Sequence, residues 1–221
     1  MKKLFLSFAI LLCTFTVFAQ SEKYTSAMKD KIAALDTSRD INTLKDLSAS
    51  FERIGDAEKT QWLPYYYAAL AQVNAGNFIY VANVSNPDEL KNLDALADKA
   101  DQMIAKAEAL QKNNSEIFAV KKMISSLRMM VDPMNRYMTY GPKAQEALDV
   151  AKKLNPENPR IYLLEGQDKY FTPEQFGGSK TEAKKLFEEA LKKYDSFKPA
   201  SNLDPNWGKN TTQYLLSQIK S

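Results

Sequence analysis

Histidine is absent from this chain of 221 residues, and its single cysteine, Cys13, lies among the first twenty. The rest of the chain therefore lacks the side chains that build the usual zinc, copper and haem-iron sites. Ser-His-Asp and Cys-His catalytic centres are excluded for the same reason. We expect no catalytic residue, no metal site and no cofactor.

Few motifs remain that could carry chemistry. Acidic pairs occur at Asp88-Glu89 and Glu188-Glu189, where a helix start or a solvated helix face also places acids. No D-x-D-x-D-G loop is present, so calcium binding has no specific support. A carboxylate-based hydrolase is accordingly the third and weakest functional hypothesis.

The first nineteen residues have the features of a signal peptide. Lys2 and Lys3 precede an apolar run from Leu4 to Phe18, and Ala19 supplies the small residue at a cleavage site. The alternative, an uncleaved anchor, is disfavoured because a membrane span needs about 20 apolar residues. Leu12 precedes Cys13 where a lipoprotein needs a small residue. We expect cleavage after Ala19, export to the periplasm and no transmembrane span in the mature chain.

Removal of this segment leaves an almost neutral protein. The chain has 30 basic and 27 acidic residues, and the segment takes Lys2 and Lys3 with it. Because basic and acidic residues are almost equal in number, the mature chain has no electrostatic footprint for nucleic acid, which we exclude as a partner. Because the only cysteine is also lost, an apolar core rather than disulfides must stabilise the exported protein.

The pattern from residue 22 onward is helical. Apolar residues recur at steps of three and four, and breakers such as Asn86-Pro87 and Gly141-Pro142 separate the segments. The stretch AQEALDVAKKLNP places Ala144, Leu148 and Ala151 at the small-large-small spacing of a repeat's second helix. In the helix that follows, Gly166 falls at the same kind of small crossing position. Small residues at such positions let paired helices approach closely.

By this spacing the chain resembles the tetratricopeptide-repeat superfamily over about residues 22–200. The resemblance implies an all-α fold, with helical hairpins stacked as a right-handed solenoid. We expect one domain over residues 20–221, with hairpins at about 22–60, 61–114, 115–158 and 159–200 and a capping helix at about 207–220. An ordinary helical bundle is the alternative.

Longer phrases point to narrower families. The stretches ERIGDAEKTQWLPYYYAAL, NPRIYLLEGQ, PEQFGGSKTEAKKLFEEA and PNWG resemble an exported Bacteroidetes repeat family of unassigned function. The FGG-plus-helix stretch is more loosely similar to the T component of TRAP transporters. Both resemblances imply export and a helical repeat, and neither supplies a catalytic residue.

The repeat register predicts which side chains face a concave groove. The first helices of the second, third and fourth hairpins would contribute Tyr66, Asn74, Met123, Leu127, Arg160, Gln167 and Tyr170. Aromatic and aliphatic walls with a few polar anchors suit a peptide, a protein segment or a small organic ligand. Arg160 could clamp a carboxylate or pair with an acid of the neighbouring repeat.

Three other stretches invite interpretation. The apolar segment 129–143, expected as a loop, either packs on its own hairpin or lines a binding surface. Trp207 in SNLDPNWG is expected to cover the open end of the array. The pair Gly177-Gly178 resembles a phosphate loop but lacks its strand and its spacing. We therefore interpret it as a sharp turn in which both glycines adopt positive φ values. Ser179 would then cap the next helix, with Glu182 completing the box.

The leading hypothesis is a non-enzymatic exported scaffold that binds a protein segment or another ligand in this groove. The second is a ligand-holding component of a periplasmic transport or envelope-assembly system. A protein or peptide partner is favoured over a small organic molecule.

Overall fold

The structure is a computed structural model that describes residues 22–219. The predicted signal peptide and its cleavage site after Ala19 lie outside these residues. Within them the chain forms α-helices and no β-strand, which confirms the predicted all-α fold.

Along the described residues the helices are α1 (22–37), α2 (Ile41–Glu58), α3 (Leu63–Asn83), α4 (Pro87–Leu90), α5 (Asn92–Leu110), α6 (Ser115–Met130), α7 (Pro133–Leu154), α8 (Pro159–Phe171), α9 (Lys180–Ser196) and α10 (Lys209–Gln218). A 3₁₀ turn, Glu174–Phe176, lies between α8 and α9. None of the helices in this part of the chain is long and apolar enough to cross a membrane.

Polar side chains fix where several helices begin. Asp40 accepts a hydrogen bond from a backbone N–H of α2 at 2.7 Å, and Asn158 accepts one from α8 at 3.0 Å. Ser179 does the same for Glu182 N at 3.2 Å, so the predicted cap of α9 is confirmed. The other half of the capping box is wrong, because Ser179 N donates to the Lys169 carbonyl at 2.9 Å and Glu182 forms an ion pair with Lys169. Each cap satisfies an N–H group that the helix itself leaves without a partner.

The helices pack mainly against their neighbours in the sequence. The pairs are α2 with α3, α3 with α5, α6 with α7 and α8 with α9, while α5 and α6 join successive pairs and α10 packs on α9. Glycine permits the closest approach between α8 and α9, because a Cβ on Gly166 would lie 2.5 Å from the ring of Phe187. Gly166 is thus the small residue at a helix crossing that the sequence predicts.

Among residues 22–219 the apolar interior consists of three clusters. The largest joins α1 to α6 and includes Phe51, Tyr66 and Ile104. A second lies between α6, α7 and α8, and a third joins α8, α9 and α10 around Phe187. Met123 packs against the first two clusters, so its side chain connects them.

A segment without helical structure, residues 197–208, connects α9 to α10 and is called the strap below. Leu203 of the strap is buried in the largest cluster, and its carbonyl accepts a hydrogen bond from Tyr67 Oη at 2.7 Å. Trp207 packs against the first and the third cluster. The expectation that Trp207 covers the end of the array is therefore wrong: the indole lies against α3 and α8.

The segment 129–143 also differs from the sequence expectation. It is a loop only at residues 131–132, and α7 continues through Gly141-Pro142. Asp132 caps this helix by accepting from Asn135 N at 3.3 Å. Pro142 removes one hydrogen bond to the carbonyl of Met138. Because Met138 is exposed, solvent can satisfy that carbonyl and the helix need not end.

Candidate functional site

The seven residues predicted to face a groove lie on three helices, α3, α6 and α8, and α6 contacts each of the other two. The structure divides the seven by exposure. Tyr66, Leu127 and Arg160 are buried, whereas the part-exposed members are Asn74, Met123, Gln167 and Tyr170. An open groove lined by Tyr66 and Arg160 is therefore not observed in this arrangement.

Leu127 is buried because α3 and α6 meet at a glycine. A Cβ on Gly76 would lie 2.7 Å from Leu127 Cδ1, so the leucine side chain fills the space opposite Gly76. The sequence register cannot reveal this contact, since it depends on which face of α6 meets α3. Leu127 serves the core in the described structure.

A buried polar cluster explains where Tyr66 and Arg160 go. The guanidinium of Arg160 donates from Nε to Glu116 Oε2 at 2.7 Å and from Nη2 to Glu116 Oε1. Asn158 Nδ2 donates to the same carboxylate at 2.8 Å. Trp207 Nε1 donates to Tyr66 Oη at 2.9 Å, and that hydroxyl lies 3.4 Å from Glu116 Oε2.

The electrostatics of this cluster follow from burial. Burial opposes the charge on Arg160, but the adjacent Glu116 outweighs it and raises the guanidinium pKa above its ordinary value. Burial likewise raises the pKa of Tyr66 well above its usual range, with Glu116 adding to the effect. The sequence left two roles open for Arg160, to clamp a ligand carboxylate or to pair with an acid of the neighbouring repeat. The structure shows the second, an ion pair with Glu116.

The strap covers this cluster. The rings of Phe197 and Trp207 lie 4.6 Å and 5.7 Å from Arg160 Cζ, distances suited to cation–π contact. The Nη1 atom of Arg160 is buried without a hydrogen-bond partner. In this conformation a ligand cannot reach the guanidinium, because side chains of the chain itself enclose it.

Tyr170, at the end of α8, belongs to an exposed aromatic surface. Tyr170, its neighbour Phe171 and Phe176, which lies in the 3₁₀ turn that follows α8, are called the aromatic shelf below. The two phenylalanine side chains are 66% and 61% exposed. The rings of Tyr170 and Phe171 meet edge to face with centroids 4.9 Å apart. Exposed aromatic rings of this kind favour interfaces with ligands or partners.

A cavity of about 230 Å³ opens beside the shelf. Its lining consists of Lys169, Tyr170, Phe171, Thr172, Pro173, Glu174, Ser179 and Lys180. Lys180 Nζ lies 3.1 Å from the centroid of the Tyr170 ring and donates to the Tyr170 carbonyl at 2.5 Å. Lys169 is ion-paired with Glu182 at 2.7 Å.

The Gly-Gly pair lies in the turn that joins the two segments lining this cavity, residues 169–174 and 179–180. Gly177 adopts a φ of 93°, in the left-handed region that favours glycine, as predicted for the turn. Gly178 is needed for a different reason than expected: its φ is not positive, and a Cβ there would collide with the carbonyl of Thr172. The pair therefore closes a tight turn between α8 and α9, and the first impression of a phosphate loop is not supported.

A second exposed apolar surface lies on the first half of α7. Met134, Tyr137 and Met138 are mostly exposed there. Arg136 holds this part of the helix in place by donating to both carboxylate oxygens of Asp94, at 2.7 and 2.8 Å. Of the two roles open for this segment, burial of these side chains against their own hairpin is not observed.

Acid–base and metal chemistry find little support in the described residues. Residues 22–219 contain no group of three or more potential metal-ligating side chains. Among the same residues no Asp or Glu is fully buried. Glu116, the carboxylate in the polar cluster, is already held by Arg160. Residues 22–219 therefore contain no pair of fully buried carboxylates of the kind that the hydrolase hypothesis needs.

Sequence reasoning missed several residues of the site. Glu116 follows a helix cap and has no distinguishing pattern, although an acid two residues into a helix is a common capping arrangement. Trp207 was placed at the wrong surface, because the course of the strap is not encoded in any local period. No sequence pattern places Lys180 over the ring of Tyr170, since that contact depends on the turn between α8 and α9.

Comparison with known proteins gives one informative match. No protein-family model matches the chain, and no functionally curated protein matches it. Among solved structures, the chain is similar to the HusA haemophore from Porphyromonas gingivalis, with 34% sequence identity and a TM-score of 0.76. The alignment covers 89% of this chain and 92% of that chain.

The fold and the site define an all-helical protein of packed helix pairs with an aromatic shelf at its surface. Since the similarity extends over nearly the whole of both chains, this chain belongs to the family of the HusA haemophore. The relative comes from a Bacteroidetes species, which agrees with the Bacteroidetes resemblance found in the sequence. Membership of the tetratricopeptide-repeat superfamily stays a prediction.

Proposed function

We propose that this protein is an exported, non-enzymatic binding protein whose ligand is haem or a related tetrapyrrole. The observation that carries the proposal is its 34% identity with a haemophore over 89% of the chain. The small organic ligand, which the sequence ranked below a protein partner, becomes the favoured one. Export is supported by the signal-peptide features of residues 1–19 together with the similarity to a haemophore.

The absence of histidine constrains how such a ligand would be held. Haem iron in proteins is ligated by His, Cys, Met or Tyr, and the chain after residue 19 retains only Met and Tyr from that set. We expect recognition to depend mainly on the ring and its carboxylates. Iron-free porphyrin should then bind nearly as well as haem.

The accessible residues of the predicted groove are the proposed contact area. Asn74, Met123, Gln167 and Tyr170 remain part-exposed, and Tyr170 continues into the aromatic shelf. A flat aromatic ligand gains from stacking on such rings, by about 0.5–1.5 kcal/mol for each pair beyond the area that it buries.

Titration of the purified protein with haemin and with protoporphyrin IX tests this proposal. We expect saturable binding of both, with dissociation constants within about tenfold of each other, followed by porphyrin absorbance and tryptophan quenching. The double substitution Phe171→Ala/Phe176→Ala should weaken both ligands by about tenfold or more, the scale of two lost aromatic contacts.

Tyr214 provides the matched control for the shelf. It is an exposed aromatic residue on α10, and Tyr214→Ala should leave both affinities unchanged. Absence of saturable binding to the wild-type protein would contradict the proposed function. Equal losses in the shelf variant and in Tyr214→Ala would keep the function but remove the shelf as the contact area.

Export can be tested separately. We expect the protein in the periplasmic or extracellular fraction of its host, with Gln20 as the first residue in N-terminal sequencing. A cytoplasmic protein that retains residues 1–19 would contradict this part of the proposal.

A protein partner is the second candidate, and the exposed surface on α7 favours it. Met134 and Met138 are 81% and 80% exposed, and methionine-rich surfaces adapt to protein partners. This would suit a component of a transport or envelope-assembly system. Cross-linking in envelope extracts should capture a partner with the wild type and lose it with Met134→Ser/Met138→Ser. Capture that is unaffected by these substitutions would contradict it.

A further inference from the structure

We propose that Lys180 anchors a carboxylate of the ligand at the cavity between α8 and α9. The inference rests on the proposed function, since it takes the ligand to be a planar tetrapyrrole acid. It adds a specific subsite: one ring edge and its carboxylate in the cavity, and the ring face along the aromatic shelf.

The size of the cavity fits an edge rather than a whole ring. Its volume of about 230 Å³ lies below the roughly 300–1,000 Å³ of pockets that enclose organic ligands. Phe171 lines the cavity and is largely exposed, and Phe176 is exposed in the same 3₁₀ turn as the lining residue Glu174. Both rings can extend the contact along the ligand ring. A ligand would therefore enter by one edge while most of the ring lies on the surface.

The ammonium of Lys180 is the suitable cation at this position. It has three donors and uses one on the Tyr170 carbonyl, so others can reach a carboxylate. Among the described residues it forms no ion pair, unlike Lys169, whose charge Glu182 already compensates. The contact with the Tyr170 ring holds the ammonium over the cavity.

The charges that line the cavity determine whether a substitution there weakens or strengthens binding of an acidic ligand. Glu174 also lines the cavity and would repel a ligand carboxylate. Neutralising Lys180 should thus weaken an acidic ligand, whereas neutralising Glu174 should leave its binding unchanged or strengthen it. An uncharged ester of the same ring should respond to neither change.

A comparison of protoporphyrin IX with its dimethyl ester tests the subsite. We expect Lys180→Gln to weaken binding of the free acid by about tenfold, the scale of one hydrogen bond to a charged group. Binding of the ester should stay within about twofold of wild type, so the preference of the protein for the acid disappears. Added salt should weaken binding of the free acid more in the wild type than in Lys180→Gln.

Lys184→Gln is the matched control, because Lys184 is an exposed lysine on the same helix. It should leave both affinities unchanged, and thermal unfolding should show that all variants are folded. If Lys180→Gln and Lys184→Gln behave alike, or if acid and ester lose equally, the anchoring role is overturned while the proposed function stands. If the wild type binds neither porphyrin, the proposed function fails and the subsite with it.

Discussion

Arg160 and Glu116 illustrate how much one residue pair depends on its surroundings. The guanidinium is fully buried, and its Nε and Nη2 atoms donate to the Glu116 carboxylate. Transfer of both charges from water is costly, and their attraction repays this cost only while both are present. Loss of one partner leaves an uncompensated charge in the interior.

The first prediction concerns this pair. Arg160→Met should lower the free energy of unfolding by about 3–5 kcal/mol, and Glu116→Gln should also destabilise the protein. The double variant should lose clearly less than the two single losses together, because it leaves no charge behind. Urea unfolding of the four proteins measures this coupling.

Additive losses would show that the two side chains do not interact in solution. Lys106→Met serves as a control, since its ion pairs with Asp56 at 3.1 Å and with Glu52 at 3.6 Å are partly exposed. That change should cost less than about 1 kcal/mol.

The tyrosines set the response to alkaline pH. Burial raises the pKa of Tyr24 to about 12, with Glu58 and Asp204 adding to the shift. Burial and the hydrogen bond to Asp56 raise the pKa of Tyr65 to about 12. In the unfolded chain these phenols ionise near pH 10. Between these pH values the unfolded state binds fewer protons, so stability must fall as the pH rises.

The second prediction follows from these shifts. Stability should be nearly constant between about pH 6 and 9, because residues 22–219 contain no histidine or cysteine that could titrate there. It should decline above about pH 10. Tyr65→Phe should make the decline shallower, because one shifted phenol is removed. Unfolding in urea at a series of pH values measures the slope.

Tyr214→Phe is the control for an exposed phenol and should leave the slope unchanged. A decline that is equally steep in Tyr65→Phe and in the wild type would contradict the assignment to Tyr65.

At the scale of helices, α7 combines a sequence-encoded start with an unexpected course. Asp132 and Pro133 mark its beginning, as helix-start rules predict. Gly141-Pro142 does not end it. The first half has few buried side chains and is tied to the start of α5 by Arg136 and Asp94. The bidentate ion pair between Arg136 and Asp94 is therefore a main contact that holds the first half of α7 against α5.

The third prediction is that Arg136→Ala loosens the first half of α7. Amide hydrogen exchange of residues 133–141 should accelerate by about tenfold, because local opening no longer breaks the ion pair. The global free energy of unfolding should change by less than about 1 kcal/mol, as for other partly exposed pairs.

Lys91→Ala is the matched control, since it removes an exposed ion pair with Asp88 that lies just before α5. Exchange in residues 133–141 should not change in that variant. Unaltered exchange in Arg136→Ala would show that other contacts hold α7.

At the scale of the whole molecule, the strap connects distant parts of the chain. Leu203 enters the cluster formed by α1 to α6, while Trp207 also packs near α8 to α10. Gly208 ends the strap with a φ of 107°, and a Cβ there would collide with Tyr194 Oη. The strap thus braces both ends of the helix series and encloses Arg160.

The fourth prediction is that Leu203→Ala lowers the free energy of unfolding by about 2–4 kcal/mol, as expected for a leucine removed from a core. Hydrogen exchange should accelerate in α3 and also near Arg160, because the strap protects both. Leu110→Ala is the control at an exposed leucine and should cost less than about 0.5 kcal/mol.

A loss confined to residues near Leu203, with no change around Arg160, would contradict the bracing role. Equal costs for Leu203→Ala and Leu110→Ala would show that the strap is not docked in solution.

The sequence by itself determined the helical class of this protein, the cap at Ser179, the crossing at Gly166 and the lack of histidine and cysteine after residue 19. These are local properties: each follows from hydrogen-bond needs, residue size or composition, which do not depend on distant parts of the chain.

Only the tertiary structure decided which side of each helix is open. Tyr66 and Arg160 fit the groove register, yet Glu116 and Trp207, which are distant in sequence, enclose them. The methionines of α7 look like core residues and lie exposed. Burial depends on contacts between segments far apart in the chain, and the course of the strap, which has no period, sets those contacts here.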